Sequence, residues 1–351
     1  MTLGPGLGSI MNRRDALRFG LAAGITSLTR KHLRAADEKP RAMTVRGPIP
    51  PEEMGQTLPH EHVLVDFVGA REASRDRYDA DEVYRVALPH LKRVREQGIR
   101  TLVDCTPAYL GRDPALLRRL SESSGLNILT PTGYYGAGGG KFLPDHARTE
   151  SADELAARWL REWRGGIEGT GVRPGFIKLG ADAGPLQEVH RKLVRAAART
   201  HRESGLTIAA HSGDGVAALE ALEILREEGL SGSAFIWVHA NTEPDHRRHV
   251  RAAEAGAWVE FDGIGPKEVE RHVQLVRSMK QAGHLGRVLL SHDAGWFHVG
   301  EPGGGSFRPY DTLMAEFVPA LREAGLSEAE VRRLIAENPR DAFAVRVRPA
   351  S

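Results

Sequence analysis

A single-domain (β/α)8 barrel is the fold this 351-residue sequence predicts, and three observations predict it. Eight short apolar runs bounded by turn residues recur along the chain. Stretches with helical spacing of Leu, Val and Ala lie between them. After Pro40 no low-complexity linker or shift in composition marks a second domain, and eight strand-helix units suit a chain of this length.

The elements follow in order. TLPHEHVLVDF (57–67) reads as the first strand, and DEVYRVALPHLKRVREQG (81–98) as the helix after it. GIRTLVDCT (98–106) is the second strand and leads to DPALLRRLSESSG (113–125), a helix that starts at Asp-Pro and stops at Gly, as capping favours. LNILTPTG (126–133) and PGFIKLG (174–180) are strands three and four, with PLQEVHRKLVRAAARTHRESG (185–205) the helix beyond. LTIAAHSG (206–213) precedes the helix GVAALEALEILREEG (215–229), and SAFIWVHAN, GAWVEFDG and RVLLSHDAG complete the eight strands. A doubly wound open sheet is the competing architecture, weakened by the lack of G-x-G-x-x-G after the first strand.

Composition removes several function classes. With 48 Lys+Arg against 46 Asp+Glu the formal charge is +2, and no basic block offers a footprint for nucleic acid. No apolar run approaches the roughly 18 residues of a membrane span. Cys105 is the single cysteine, so any metal chemistry falls to His and carboxylates. Small-molecule chemistry is the default. The charge is unevenly spread: residues 1–36 hold six basic groups and one acidic, and the remainder carries 42 and 45, a formal −3. MNRRDALRFGLAAGITSL, with its twin arginine at Arg13 and Arg14 and a short apolar run, resembles a twin-arginine export signal. This predicts a signal over 1–36, a barrel over 37–351 and a periplasmic mature protein; a basic amphipathic helix of a cytoplasmic protein is the alternative.

In a barrel, function sits where the strands end. His60 and His62 are two apart, so an extended strand points both to one face and Glu61 to the other. Lys178 closes GFIKLG, His211 closes LTIAAH, His239 closes AFIWVH and Asp293 closes RVLLSHD. Singly, each has an ordinary reading: a hydrogen-bonded strand-end His, a salt-bridged Lys, a helix-capping Asp. Together they place six groups at one end of one barrel, and converging polar groups need a common partner, which a cation supplies. Tyr134, Tyr135, Trp296 and Arg308 are candidates for substrate contact, Arg308 for a carboxylate or phosphate. Gly138 to Gly140 with Lys141 suit a lid or an anion-binding nest.

From Val45 to Phe343 the chain resembles the phosphotriesterase family of the amidohydrolase superfamily. The resemblance rests on H-E-H at 60–62, TLVDCT followed by Gly111-Arg112-Asp113, TGYY at 132–135, GFIKLG, the His211 and His239 strand ends, LLSHD, and NPRDAF at 338–343. It implies two divalent metals, typically zinc, sharing a bridging hydroxide and an N6-carboxylated lysine matching Lys178. It implies His60, His62 and Asp293 on one metal, and His211 and His239 on the other. Such a hydroxide attacks an ester, lactone, amide or phosphotriester, and Asp293 can take its proton. His211 is followed by Ser-Gly-Asp and His239 by Ala-Asn, departures from the commoner family pattern that favour a lactone or carboxylic ester over a phosphotriester. A Schiff-base lyase using Lys178 and a non-catalytic binding protein are the readings from other classes. Many barrels of this type dimerise, so a homodimer is admissible.

Overall fold

The computed structural model describes residues 1, 2, 4 and 40–350. The chain divides into two units, 1–40 and 41–351. The expected export signal at 1–36 lies, but for Met1, Thr2 and Gly4, outside the described residues.

Unit 41–351 opens with an antiparallel hairpin, β1 (Ala42–Thr44) and β2 (Gly47–Ile49). Ten strands follow: β3 (Thr57–Val65), β4 (Thr101–Asp104), β5 (Asn127–Leu129), β6 (Pro131–Thr132), β7 (Phe176–Ala181), β8 (Ile208–Ser212), β9 (Phe235–Val238), β10 (Trp258–Phe261), β11 (Val288–Leu290) and β12 (Gly295–His298). They form two parallel sheets, ordered β11-β10-β9-β8-β7-β6 and β12-β3-β4-β5. Each of the eight expected runs contains a strand, but the third and eighth are split. Thr130 separates β5 from β6 within the third run, which thereby pairs with both sheets, and the turn Ser291–Ala294 separates β11 from β12, which begins at Gly295, the last residue of the eighth run, and joins the other sheet. At the eighth run the turn stays bonded to β3, with Asp293 N–H donating to His60 O at 3.1 Å and His62 N–H to Ala294 O at 2.9 Å. This α/β arrangement is consistent with the expected barrel.

Local chemistry explains the elements. The register of β3 on β4 shifts between Leu58 and Glu61. Pro59 lies inside that interval and has no N–H for the ladder. The helix Pro114–Ser124 has Asp113 accepting from the Ala115 and Leu116 N–H groups, proline at its first position, and Gly125 at φ 74 as its stop. Ser151 and Glu154 form a capping box on the helix Ala152–Gly165.

Burial on both faces of the sheets separates two apolar layers. Val103, Leu129, Phe176, Ala209, Ile236, Val238 and Leu289 belong to one cluster. Their neighbours Leu102, Ile128, Ile177, Ile208, Phe235, Trp237 and Leu290 pack in a second, against the helices. Strand side chains alternate, so Lys178 faces the same way as Phe176, and His211 the same way as Ala209, nearer the C-terminal ends. The inner cluster is therefore the floor on which the polar groups stand.

Candidate metal centre

The six predicted side chains meet at the C-terminal end of the strands. Lys178 Nζ lies 3.4 Å from His60 Nε2. Asp293 Oδ1 is 3.1 Å from His62 Nε2 and 3.7 Å from His60 Nε2. The rings of His60 and His62 are 5.3 Å apart, those of His60 and His239 5.0 Å, and those of His211 and His239 4.5 Å. His239 follows β9, where Val238 already faces the inner cluster, so continued strand would aim the imidazole outward. Its left-handed φ of 63° turns it back. Asp293 sits at φ 53° and Trp296 at φ 74°, so three non-glycine residues hold uncommon backbone conformations around one point, as functional sites often do.

A set of carboxylates fixes the imidazoles from behind. Asp262, one residue past β10, contacts His60 Nδ1 through Oδ2 at 2.9 Å and His239 Nδ1 through Oδ1 at 2.8 Å; its Oδ2 also accepts the His239 main-chain N–H. A carboxylate only accepts, so each Nδ1 carries a hydrogen and the Nε2 edge of each ring is turned to the site. Glu260 Oε2 adds a contact to His60 Nδ1 at 3.2 Å. His62 Nδ1 meets Thr106 Oγ1 at 2.8 Å, and His211 Nδ1 meets the Tyr135 hydroxyl at 3.0 Å.

Electrostatics follow from this packing. Burial, then the Lys178 charge, pushes His60 down to about 3. Burial with His239 and Lys178 takes His211 well below the ordinary imidazole range, so both rings are neutral and able to donate a lone pair. Burial opposes ionisation of Asp262, but His239 and His60 overcome it and hold the carboxyl well below its usual range. Glu260 is driven the other way, first by burial and then by the Asp262 charge. The two neighbouring carboxyls are thus driven in opposite directions, Asp262 by the imidazoles it orients and Glu260 by burial and the charge beside it.

The donor set fits divalent metal. His60, His62 and Asp293 offer ligand atoms within 4.8 Å of one another, and Asp293 Oδ1 is buried with no well-formed hydrogen bond. His60, His239 and Asp262 are equally close. That second group is the hydrogen-bonded back of the site, because Asp262 faces the Nδ1 edges.

The candidate substrate contacts separate. The Tyr135 hydroxyl lies on His211, and the Trp296 ring is 5.5 Å from His62. Arg308 lies over the Trp296 ring at 4.9 Å and donates from Nη2 to Asp293 O. Tyr134 turns away: its hydroxyl meets His146 Nε2, and its ring joins Tyr109, Arg112 and Arg158 in lining a separate cavity of about 560 Å³. That cavity includes none of the six converging groups. The Gly138–Gly140 nest is filled from within, because Asp182 accepts the Gly138 and Gly139 N–H groups at 2.7 and 3.2 Å.

Sequence reasoning passed over Asp262, Glu260, Thr106 and the role of Glu61. Glu61 is fully buried and accepts from the Ser291 hydroxyl, from the His292 and Ala294 N–H groups, and contacts His292 Nδ1 at 2.6 Å, clamping the turn that carries Asp293. Glu260 and Asp262 share the two-residue spacing that singled out His60 and His62, so the signal was present.

Comparison with known proteins identifies the family. The sequence profile of the phosphotriesterase family matches residues 40–343. A phosphotriesterase homology protein of Escherichia coli (strain K12) is 30% identical over 294 residues, covering 82% of this chain and 98% of that protein. An aryldialkylphosphatase of Saccharolobus solfataricus is 27% identical, covering 84% and 96%. An N-acetyltaurine hydrolase of Tetraodon nigroviridis is 24% identical, covering 86% and 97%.

Proposed function

The chain belongs to the phosphotriesterase family, hydrolytic and binuclear metal-dependent, and from that premise we propose that it hydrolyses a lactone, carboxylic ester or related small substrate on a (β/α)8 barrel. The observation that carries the reading is the convergence of four imidazoles, Lys178 and Asp293 at one end of the parallel strands. His60, His62 and Asp293 would hold one ion, most suitably zinc, and His211 and His239 the other, with Lys178 between them. Bound there, the two ions supply Lewis-acid activation of water and of the scissile group.

The chain's own residues do the rest. An ammonium at Lys178 would repel two cations. Carboxylated by carbon dioxide, with an Nζ–C bond formed and a proton released, Lys178 would instead offer carbamate oxygens as ligands to the ions. Asp262 keeps the Nε2 edges of His60 and His239 turned inward. Asp293, beside His62 and pinned through its carbonyl by Arg308, accepts a proton at its carboxylate as the substrate is attacked. Trp296 and Tyr135 border the substrate on opposite sides. Residues 1–36 serve as a twin-arginine signal, and the mature enzyme works in the periplasm on a small molecule.

Two relatives carry names that place them on other bonds, a phosphotriester and an N-acyl amide. A screen of lactones, aryl esters, N-acyl amides and phosphotriesters with metal-reconstituted enzyme decides among these. Turnover of carboxyl substrates that chelation abolishes is expected. Turnover of phosphotriesters alone overturns the ranking, and borohydride trapping of a carbonyl substrate on Lys178 would replace hydrolysis by a lyase.

A further inference from the structure

The rim of the site is a belt of aromatic rings with a cation at each shoulder. From His62 it runs to Trp296 at 5.5 Å, on to Phe67 at 5.6 Å, to Phe142 at 6.1 Å and to Tyr135 at 5.8 Å, and it ends on His211 at 5.2 Å. It therefore joins a histidine of one candidate metal position to a histidine of the other. Phe67 is 39% exposed, unusual for a large apolar side chain in this chain. Arg308 lies over Trp296 at 4.9 Å and Lys141 over Phe142 at 5.7 Å. Among the described residues neither cation meets a carboxylate. Of the nearby acidic groups, Asp182 holds the Gly138 and Gly139 N–H groups and Asp66 pairs with Arg77. Trp296 Nε1 is one of three buried indole N–H groups without a hydrogen-bond partner among the described residues, and its backbone is held at φ 74°.

We infer that the substrate is an anionic amphiphile: an ester, lactone or amide whose apolar part lies on the Phe67, Phe142 and Trp296 rings and whose carboxylate or sulfonate is drawn by Lys141 and Arg308. A ring beside each cation shields it from water on one side. Lys141 supplies a point charge. Arg308 has spent one N–H on the Asp293 carbonyl and keeps the rest of its fork. The inference rests on the hydrolase reading for its scissile bond and on the rim alone for its charge preference.

The test compares the mono-4-nitrophenyl ester of glutaric acid with 4-nitrophenyl valerate, equal in length and lacking the charge, on metal-loaded enzyme at low and high salt. The expected kcat/KM ratio favours the anionic ester by about tenfold, through KM, and shrinks as salt screens the rim. In Lys141→Gln and in Arg308→Gln the ratio falls about fivefold, a comparison that cancels any general loss of active protein. A wild-type ratio at or below unity overturns the inference while leaving the hydrolase intact. If neither ester is cleaved, the ester-hydrolase reading fails, and calorimetric binding of 5-phenylvalerate against 5-phenylpentanamide decides the charge preference. Tighter binding of the carboxylate that the Lys141→Gln/Arg308→Gln double variant loses supports it; equal binding in wild type overturns it.

Discussion

Asp262 is the residue through which both halves of the centre are tied. Its two oxygens reach His60, His239 and the His239 main chain, so one carboxylate sets the orientation of imidazoles from two different strands. Asp262→Asn replaces an acceptor by an amide that cannot accept from both rings. Chelator competition should then show metal affinity lowered by about 10- to 100-fold; an unchanged affinity would mean that Glu260 or the ring packing orients the histidines. His201 makes a different prediction, away from the centre. Its Nδ1 meets Leu206 O at 2.8 Å and its Nε2 accepts the Arg348 N–H at 2.9 Å, so a second ring proton has no acceptor. Burial, the largest cause, lowers it to about 4. Above the unfolded value of 6.5 both states are neutral. Between 6.5 and about 4 only the unfolded chain takes up the proton, so stability falls with pH by up to about 3 kcal/mol, and below about 4 this dependence ends. His201→Gln should flatten that limb in urea midpoints measured from about pH 7 to pH 4. His249, also lowered to about 4 by burial, retains its share.

At the scale of elements, the split eighth run is the critical construction. The turn Ser291–Ala294 carries Asp293, is bonded to β3 by main-chain groups, and is gripped by the four contacts of Glu61. β12 then starts at Gly295, at φ 91°, where a Cβ would collide with the His62 carbonyl and the Tyr310 hydroxyl. Tyr310 itself donates to that carbonyl at 2.7 Å. Gly295→Ala must separate β12 from β3 at the position of a candidate ligand. A loss of about 3 kcal/mol in unfolding free energy is expected, with weakened metal binding; a variant of wild-type stability would show that the strands approach less closely than described. None of this was legible from the sequence. LLSHDAG reads as strand, and nothing local says that it changes sheets after Leu290, because the cause is the distant partner β3. The eight runs were legible for a plain reason: burial on both faces leaves short, nearly uninterrupted apolar segments that turns must punctuate.

Across the whole molecule, the pattern that could be read was the one that repeats. Lys178, His211, His239 and Asp293 stand near the ends of apolar runs and His60 and His62 lie two apart within one; strand alternation carries the groups on β3, β7 and β8 directly into space, while left-handed backbone conformations bring in His239 and Asp293. Asp262 and Glu260 end such a run too, in WVEFD, yet a strand-end carboxylate also reads as the cap of a following helix, and its partners lie some 200 residues away at His60. The Gly138–Gly140 nest looked like a place for a ligand anion because the filling group, Asp182, comes from the loop after another strand. The same convergence predicts that metal and fold are linked. Ions that bind only the folded arrangement stabilise it, so the melting temperature should rise on loading and fall with chelator, in proportion to the logarithm of free metal; a melting temperature indifferent to metal would place binding elsewhere.

The measurement closest to the central claim is metal content per chain after reconstitution with zinc and removal of free ion, made on wild type and on Lys178→Ala. A site built from four imidazoles, Asp293 and a bridging carboxylated lysine predicts two equivalents in the wild type and a clear loss in the variant. Near-zero metal in the wild type, or two equivalents held undiminished without Lys178, would contradict it.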